Sequence, residues 1–71
     1  MSNGLNIALI GCGFFGTQLA AAFHKANAKL IATTDINPTL AQSIAEQYGG
    51  TTFLSVEEML AACQPDLVII A

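Results

Sequence analysis

Gly11, Gly13 and Gly16 fall on a G-x-G-x-x-G spacing, immediately after an apolar run and immediately before a segment with helical periodicity. Few features of a short chain restrict its fold so strongly. The run Asn6-Ile7-Ala8-Leu9-Ile10 contains two isoleucines and a leucine and no charge, the pattern of a parallel strand covered on both faces. Beyond the glycines, Phe15, Leu19 and Phe23 recur every four residues, with Gly16 and Ala20 beside them. That spacing predicts a helix with Phe15, Leu19 and Phe23 on its buried face.

Strand, glycine turn and helix, in that order, give the spacing a physical meaning. Gly11 allows a tight reversal where a side chain would clash, Gly13 leaves room for a pyrophosphate to approach the backbone, and Gly16 lets the helix pack closely on the strand. The N–H groups at the helix start, around Phe14 and Phe15, lack intrahelical partners, and the helix dipole adds partial positive charge there. Such a site needs no lysine or arginine, and none is nearby. A dinucleotide site also calls for an acidic residue about 20 residues further on, at the end of a second strand, to accept hydrogen bonds from a ribose. Ala28-Lys29-Leu30-Ile31-Ala32-Thr33-Thr34 reads as that strand, and Asp35 stands at its end. Ile36 and Asn37 follow, with no arginine to receive a 2′-phosphate, which favours NAD over NADP. The alternative is a structural turn that happens to carry three glycines.

Composition narrows the partners. The 71 residues carry a net charge of −3, with two lysines and no arginine; a nucleic-acid surface or a polybasic membrane patch needs the opposite. No apolar run approaches the ~20 residues that span a bilayer. The start, Met1-Ser2-Asn3-Gly4, lacks the charged region of a signal peptide. Cys12 and Cys63 lie far apart, with no C-x-x-C pairing. A reduced, cytoplasmic protein is the expectation. A chain that is 54% hydrophobic and 10% charged suits the interior of something larger, since a parallel sheet needs cover on both faces. The chain is therefore expected to be the front section of a longer protein.

In chain order, Met1–Gly4 is expected to be a disordered lead-in, followed by a strand over about 5–10 and a helix over about 14–26. Asn27 is expected to close that helix in left-handed geometry. A second strand at about 29–34 completes a right-handed βαβ unit. Asn37-Pro38 marks a helix start, with Leu40, Ile44 and Tyr48 as its buried stripe and Ala41 and Ala45 alongside. Gly49-Gly50 ends it before a short strand at 51–54. Ser55-Val56-Glu57-Glu58 reads as a capping box, with Leu54 and Met59 as its hydrophobic staple. This third helix runs to about Cys63, Pro65 breaks it, and Leu67 to Ala71 forms a fourth strand. The result is an α/β chain, βαβαβαβ, with a doubly wound parallel sheet in the order 3-2-1-4. Its cleft lies where that order reverses, and Ala71 is expected on the rim beside the ribose.

Other candidates have plainer readings. Cys12 near a helix N-terminus suggests a thiol of lowered pKa, or simply a small apolar residue. His24 suggests a base, or a helix-end surface histidine far from the glycine turn. Glu57 and Glu58 suit the first turn of a helix, Asp66 a turn, and Cys63 packing. Phe14 is expected to face the cleft or solvent. No His/Cys cluster has metal spacing.

With Gly11-Cys12-Gly13-Phe14-Phe15-Gly16, Asp35-Ile36-Asn37-Pro38 and Pro65-Asp66-Leu67-Val68-Ile69-Ile70-Ala71 in place, the chain resembles the N-terminal nucleotide-binding domain of the glucose–fructose oxidoreductase / inositol dehydrogenase / MocA family, a Rossmann domain. The likeness runs from Leu5 to Ala71, and homoserine and aspartate dehydrogenases share a similar front half. The resemblance implies an NAD(P)-dependent oxidoreductase acting on sugars, cyclitols or related polyols. It implies that Gly11, Gly13, Phe14, Phe15 and Gly16 form the pyrophosphate loop, with Asp35 and the adjoining Ile36 at the ribose. The family's catalytic lysine in an E-K-P motif, and its later aspartate and histidine, have no counterpart here, so the catalytic residues and a substrate domain are expected beyond residue 71. The resemblance also implies a homo-oligomer when full length. A non-catalytic NAD sensor and a methyltransferase remain alternatives.

Overall fold

The computed structural model describes residues 5–71, so the lead-in expected over Met1–Gly4 lies outside the described residues. The elements run β1 (Asn6–Ile10), α1 (Phe14–Lys25), β2 (Lys29–Thr34), α2 (Pro38–Tyr48), β3 (Thr51–Phe53), α3 (Val56–Ala62) and β4 (Leu67–Ile70). The four strands form one parallel sheet in the order β3-β2-β1-β4, the doubly wound arrangement that the alternation of apolar runs and helical segments predicts.

Period-two alternation along the strands separates two cores. On one face Leu9 meets Ala20 of α1 and Ala41 and Ile44 of α2, with Cys12 enclosed and Leu30, Tyr48 and Ile69 at the margin. On the other, Ala8 and Ala32 pack under Met59 of α3, flanked by Ile10, Ile31, Phe53, Cys63 and Val68. Small residues dominate where helix and sheet come closest. The buried hydroxyls are satisfied: Thr33 Oγ1 donates to the Ala41 carbonyl at 3.1 Å and Thr34 Oγ1 to the Phe53 carbonyl at 2.8 Å, as buried polar groups require.

The helix ends follow local chemistry. Asn37 Oδ1 accepts from the Thr39 N–H at 3.0 Å with Pro38 at the first helical position, and Ser55 Oγ accepts from the Glu58 N–H at 3.1 Å. Asn27 adopts φ +66° after α1. Gly50 has φ +100°, and a Cβ there would press to 3.0 Å on the β2 backbone at Leu30 and Ile31. Asp66 is more than a turn residue: its Oδ2 accepts from the Asn6 N–H at 2.8 Å while its own N–H donates to the Asn6 carbonyl at 2.7 Å, clipping the starts of β1 and β4 together.

Three expectations about side chains are corrected. Phe15 is 69% exposed; α1 buries Gly16 and Ala20 instead, because the helix sits so close to the turn that only small residues fit the contact. Leu40 is likewise exposed, and Ala41 and Ile44 carry the buried face of α2. Leu54 is 76% exposed, so no staple forms and Met59 alone is buried on α3. A seven-residue helix held by one side chain is sensitive to its loss. Met59→Ala is expected to cost about 2–5 kcal/mol, read as a lowered urea midpoint of the full-length protein.

Candidate functional site

The turn between β1 and α1 is fastened on both sides. Toward β2, the Gly11 N–H donates to the Thr34 carbonyl at 2.9 Å, and Cys12 Sγ lies 3.7 Å from the same oxygen. Toward β4, the Ala71 N–H donates to the Ile10 carbonyl at 2.9 Å. Gly11 has φ +92°, and a Cβ there would lie 2.8 Å from the Ala71 carbonyl oxygen, so this position excludes a side chain twice over. A Cβ on Gly16 would run into the Gly11 carbonyl oxygen. Gly16 thus brings α1 down onto the turn itself, rather than onto the strand. Gly13 differs: no atom lies within 4 Å of where its Cβ would be, so the loop is open there.

That opening faces the start of α1. No side chain caps the helix, and no acidic residue stands in its first turn. Its hydrogen-bond ladder begins with the Thr17 N–H donating to the Gly13 carbonyl at 2.8 Å, so the amides of Phe14, Phe15 and Gly16 precede it. Uncapped amides together with the positive end of the dipole make a seat for an anion. Phe14 and Phe15 project beside it, 73% and 69% exposed, with ring centroids 5.7 Å apart in an edge-on contact.

Asp35, at the exit of β2, reaches back to this turn. Its Oδ2 accepts from the Cys12 N–H at 2.6 Å and its Oδ1 from the Asn37 N–H at 2.7 Å. The Cys12 amide, and then that of Asn37, hold its carboxyl below the ordinary 3.8, so it is an anion at neutral pH. Each oxygen retains a lone pair for a further donor. Ile36, fully exposed, continues the rim, and Leu54 and Val56 join Asp35 and Ile36 along one open groove.

Gly11, Gly13, Phe14, Phe15, Gly16, Asp35 and Ile36 therefore gather at the carboxyl end of the sheet. Sequence reasoning missed the Cys12–Asp35 hydrogen bond, which involves a backbone amide and leaves no residue signature. It missed Leu54 and Val56 too, since the sequence assigns Leu54 to a hydrophobic staple and Val56 only to the capping box. Of the other reactive side chains, Cys12 lies within the turn but points into the core. Burial first, and the Asp35 charge second, push the Cys12 thiol up to about 11, which removes the basis for a reactive thiolate. His24 lies in the last turn of α1 against Tyr48, with ring centroids 5.3 Å apart, at the opposite end of the helix from the glycines. Among the described residues no group of three or more His, Cys, Asp or Glu residues could hold a metal, and no helix is long and apolar enough to cross a membrane.

Comparison with known proteins supplies a context for this geometry. The profile of an oxidoreductase family with an NAD-binding Rossmann fold matches residues 5–71. Among solved structures, the WlbA dehydrogenase from Chromobacterium violaceum, in complex with NADH and UDP-GlcNAcA, is 30% identical with a TM-score of 0.91, over 100% of this chain and 21% of that one. A protein from Sinorhizobium meliloti 1021, provisionally described as a myo-inositol dehydrogenase, is 32% identical with a TM-score of 0.83, over 94% of this chain and 20% of that one. One from Desulfitobacterium hafniense, provisionally described as an NADPH-dependent oxidoreductase, is 25% identical with a TM-score of 0.86, over 100% and 21%. The chain thus spans about a fifth of the length of the structures it resembles. No curated protein gives a significant match.

The glycines separate stability from ligand access. Gly16→Ala forces a side chain into backbone and is expected to cost roughly 1–3 kcal/mol or more, whereas Gly13→Val, which points into open space, is expected to cost at most about 1 kcal/mol. Urea unfolding of the two full-length variants checks the contrast. The lowered pKa of Asp35 fixes a sign as well. Its hydrogen bonds contribute stability that is present above pH 3.8 and is lost as pH falls through the lower, folded-state value. The stability difference between the protein and Asp35→Asn, which cannot titrate, should shrink over that acid range in pH-resolved unfolding.

Proposed function

This chain belongs to the oxidoreductase family with the NAD-binding Rossmann fold, and from that premise we propose that it holds the cofactor of an enzyme that moves a hydride between nicotinamide and a sugar, cyclitol or related polyol. One observation carries the cofactor site: the open backbone at Gly13 lies between the uncapped start of α1 and the ionised Asp35. In this reading the Phe14 and Phe15 amides receive the diphosphate, and the absence of a Cβ at Gly13 lets it approach. Asp35 accepts hydrogen bonds from the adenosine ribose through its remaining lone pairs, and Ile36 offers apolar surface to the adenosine end. A 2′-phosphate would face the Asp35 carboxylate with no arginine nearby to offset it, which favours NAD over NADP. When bound, NAD supplies the hydride acceptor at its nicotinamide ring; this chain's part is to bind and orient it.

The substrate class is supported by the company the chain keeps: one relative was crystallised with a nucleotide sugar acid and another is provisionally described as a myo-inositol dehydrogenase. The residues that move protons on the substrate belong, in this reading, to the rest of a longer protein, in a separate substrate domain. A cytoplasmic location is in keeping with Cys12 and Cys63, both free thiols. Assembly as a homo-oligomer is carried over from the family resemblance alone.

Titrating the full-length protein with NADH and NADPH tests the site. NADH is expected to bind more tightly, and Gly13→Val is expected to abolish binding of both. Asp35→Ala should weaken NADH by roughly tenfold or more and NADPH by much less; equal losses would remove Asp35 from the ribose site. Turnover on a panel of sugars and cyclitols tests the chemistry: tight NADH binding with no turnover on any of them would identify a sensor instead.

A further inference from the structure

The Gly11–Cys12 peptide lies at the centre of the phosphate turn, with its carbonyl end packed under α1 at Gly16. Gly11, at φ +92°, has no side chain to restrict rotation of that peptide plane. The Gly11 N–H and Cys12 Sγ both go to the Thr34 carbonyl, but one precedes the peptide and the other lies on a side chain beyond it. The other end of the plane is the Cys12 N–H, and among the described residues its acceptor is Asp35 Oδ2, at 2.6 Å. A hydrogen bond to an ionised acceptor is short and about twice as strong as a neutral one. Asp35 is held in turn, since its Oδ1 takes the N–H of Asn37, the residue that caps α2. A continuous path therefore runs from the start of α2, through one carboxylate, to the residue before Gly13.

We propose that Asp35 is a positioning residue for the diphosphate site as well as a ribose ligand: by holding the Cys12 N–H it fixes the turn that aims the first amides of α1. This rests on the reading of that turn as the seat of a diphosphate. Binding of a diphosphate then depends on Asp35 even when the ligand has no ribose hydroxyl to offer it, and emptying the Asp35 position loosens a loop that the ligand must pay to reorder.

The test uses ADP and 2′,3′-dideoxy-ADP with the full-length protein and its Asp35→Ala and Asp35→Asn variants. The two variants carry the same charge, so any change in repulsion of the diphosphate cancels between them, while asparagine keeps one oxygen acceptor and preserves the fold if alanine does not. Hydrogen exchange at the Cys12 amide is expected to be roughly tenfold faster in Asp35→Ala than in the parent protein, with Asp35→Asn between them. Dideoxy-ADP is expected to bind Asp35→Ala several-fold more weakly than Asp35→Asn. Unchanged exchange at Cys12 in both variants overturns the proposal, as does faster exchange with equal dideoxy-ADP affinity. Should the parent protein bind neither nucleotide, the diphosphate reading fails on its own, and Cys12 exchange still decides whether Asp35 fixes the turn. Should Asp35→Ala not fold, the comparison of Asp35→Asn with the parent carries the exchange test.

Discussion

The close approach of α1 to the Gly11 carbonyl governs the rest of the molecule. With no side chain at Gly16, the helix settles onto the turn; with any side chain, it would be lifted away. That contact decides which residues α1 can bury, and so explains why Ala20 lies in the core while Phe15 does not. It also brings the first amides of the helix to the carboxyl end of β1, where β2 delivers Asp35 and β4 delivers Ala71. Site and core follow from the same missing methyl group.

Much of this was legible in the residues. The order of strands and helices, the caps at Asn37 and Ser55 and the left-handed Asn27 each have a local signature: an apolar run, a cap with its proline or glutamate, a turn residue; the 3-2-1-4 sheet follows from the doubly wound class that their alternation implies. Less legible was which side of a helix faces inward. Phe15 and Leu40 are large and apolar, so periodicity assigns them to the core, but α1 buries Gly16 and Ala20 instead and α2 buries Ala41 and Ile44. Hydrophobicity orders residues by transfer from water, not by the space available, and at Gly16 space decides.

The site shows the same division. The positions of the glycines and of Asp35 could be read from spacing, because the turn and the strand end are local events. The bond from the Cys12 amide to Asp35 joins residues 23 apart in sequence through a main-chain group that every residue but proline possesses. Cys12 itself illustrates the limit: its place before a helix suggests an acidified thiol, yet its side chain points into the core, where desolvation, and then the Asp35 charge, outweigh the contact with the Thr34 carbonyl and raise the pKa instead.

The reciprocal pair between Asn6 and Asp66 has a consequence for the order in which the chain acquires its shape. These residues are 60 positions apart, and the strand that Asp66 introduces is one of the two neighbours of β1. On a ribosome adding roughly 5–20 residues per second, β1 waits roughly 3–12 seconds for that neighbour, with one edge bare. This strand is thus enclosed only after the 60 positions that follow it are made, a high-contact-order arrangement of the kind that folds slowly. The glycine turn at its tip inherits that delay.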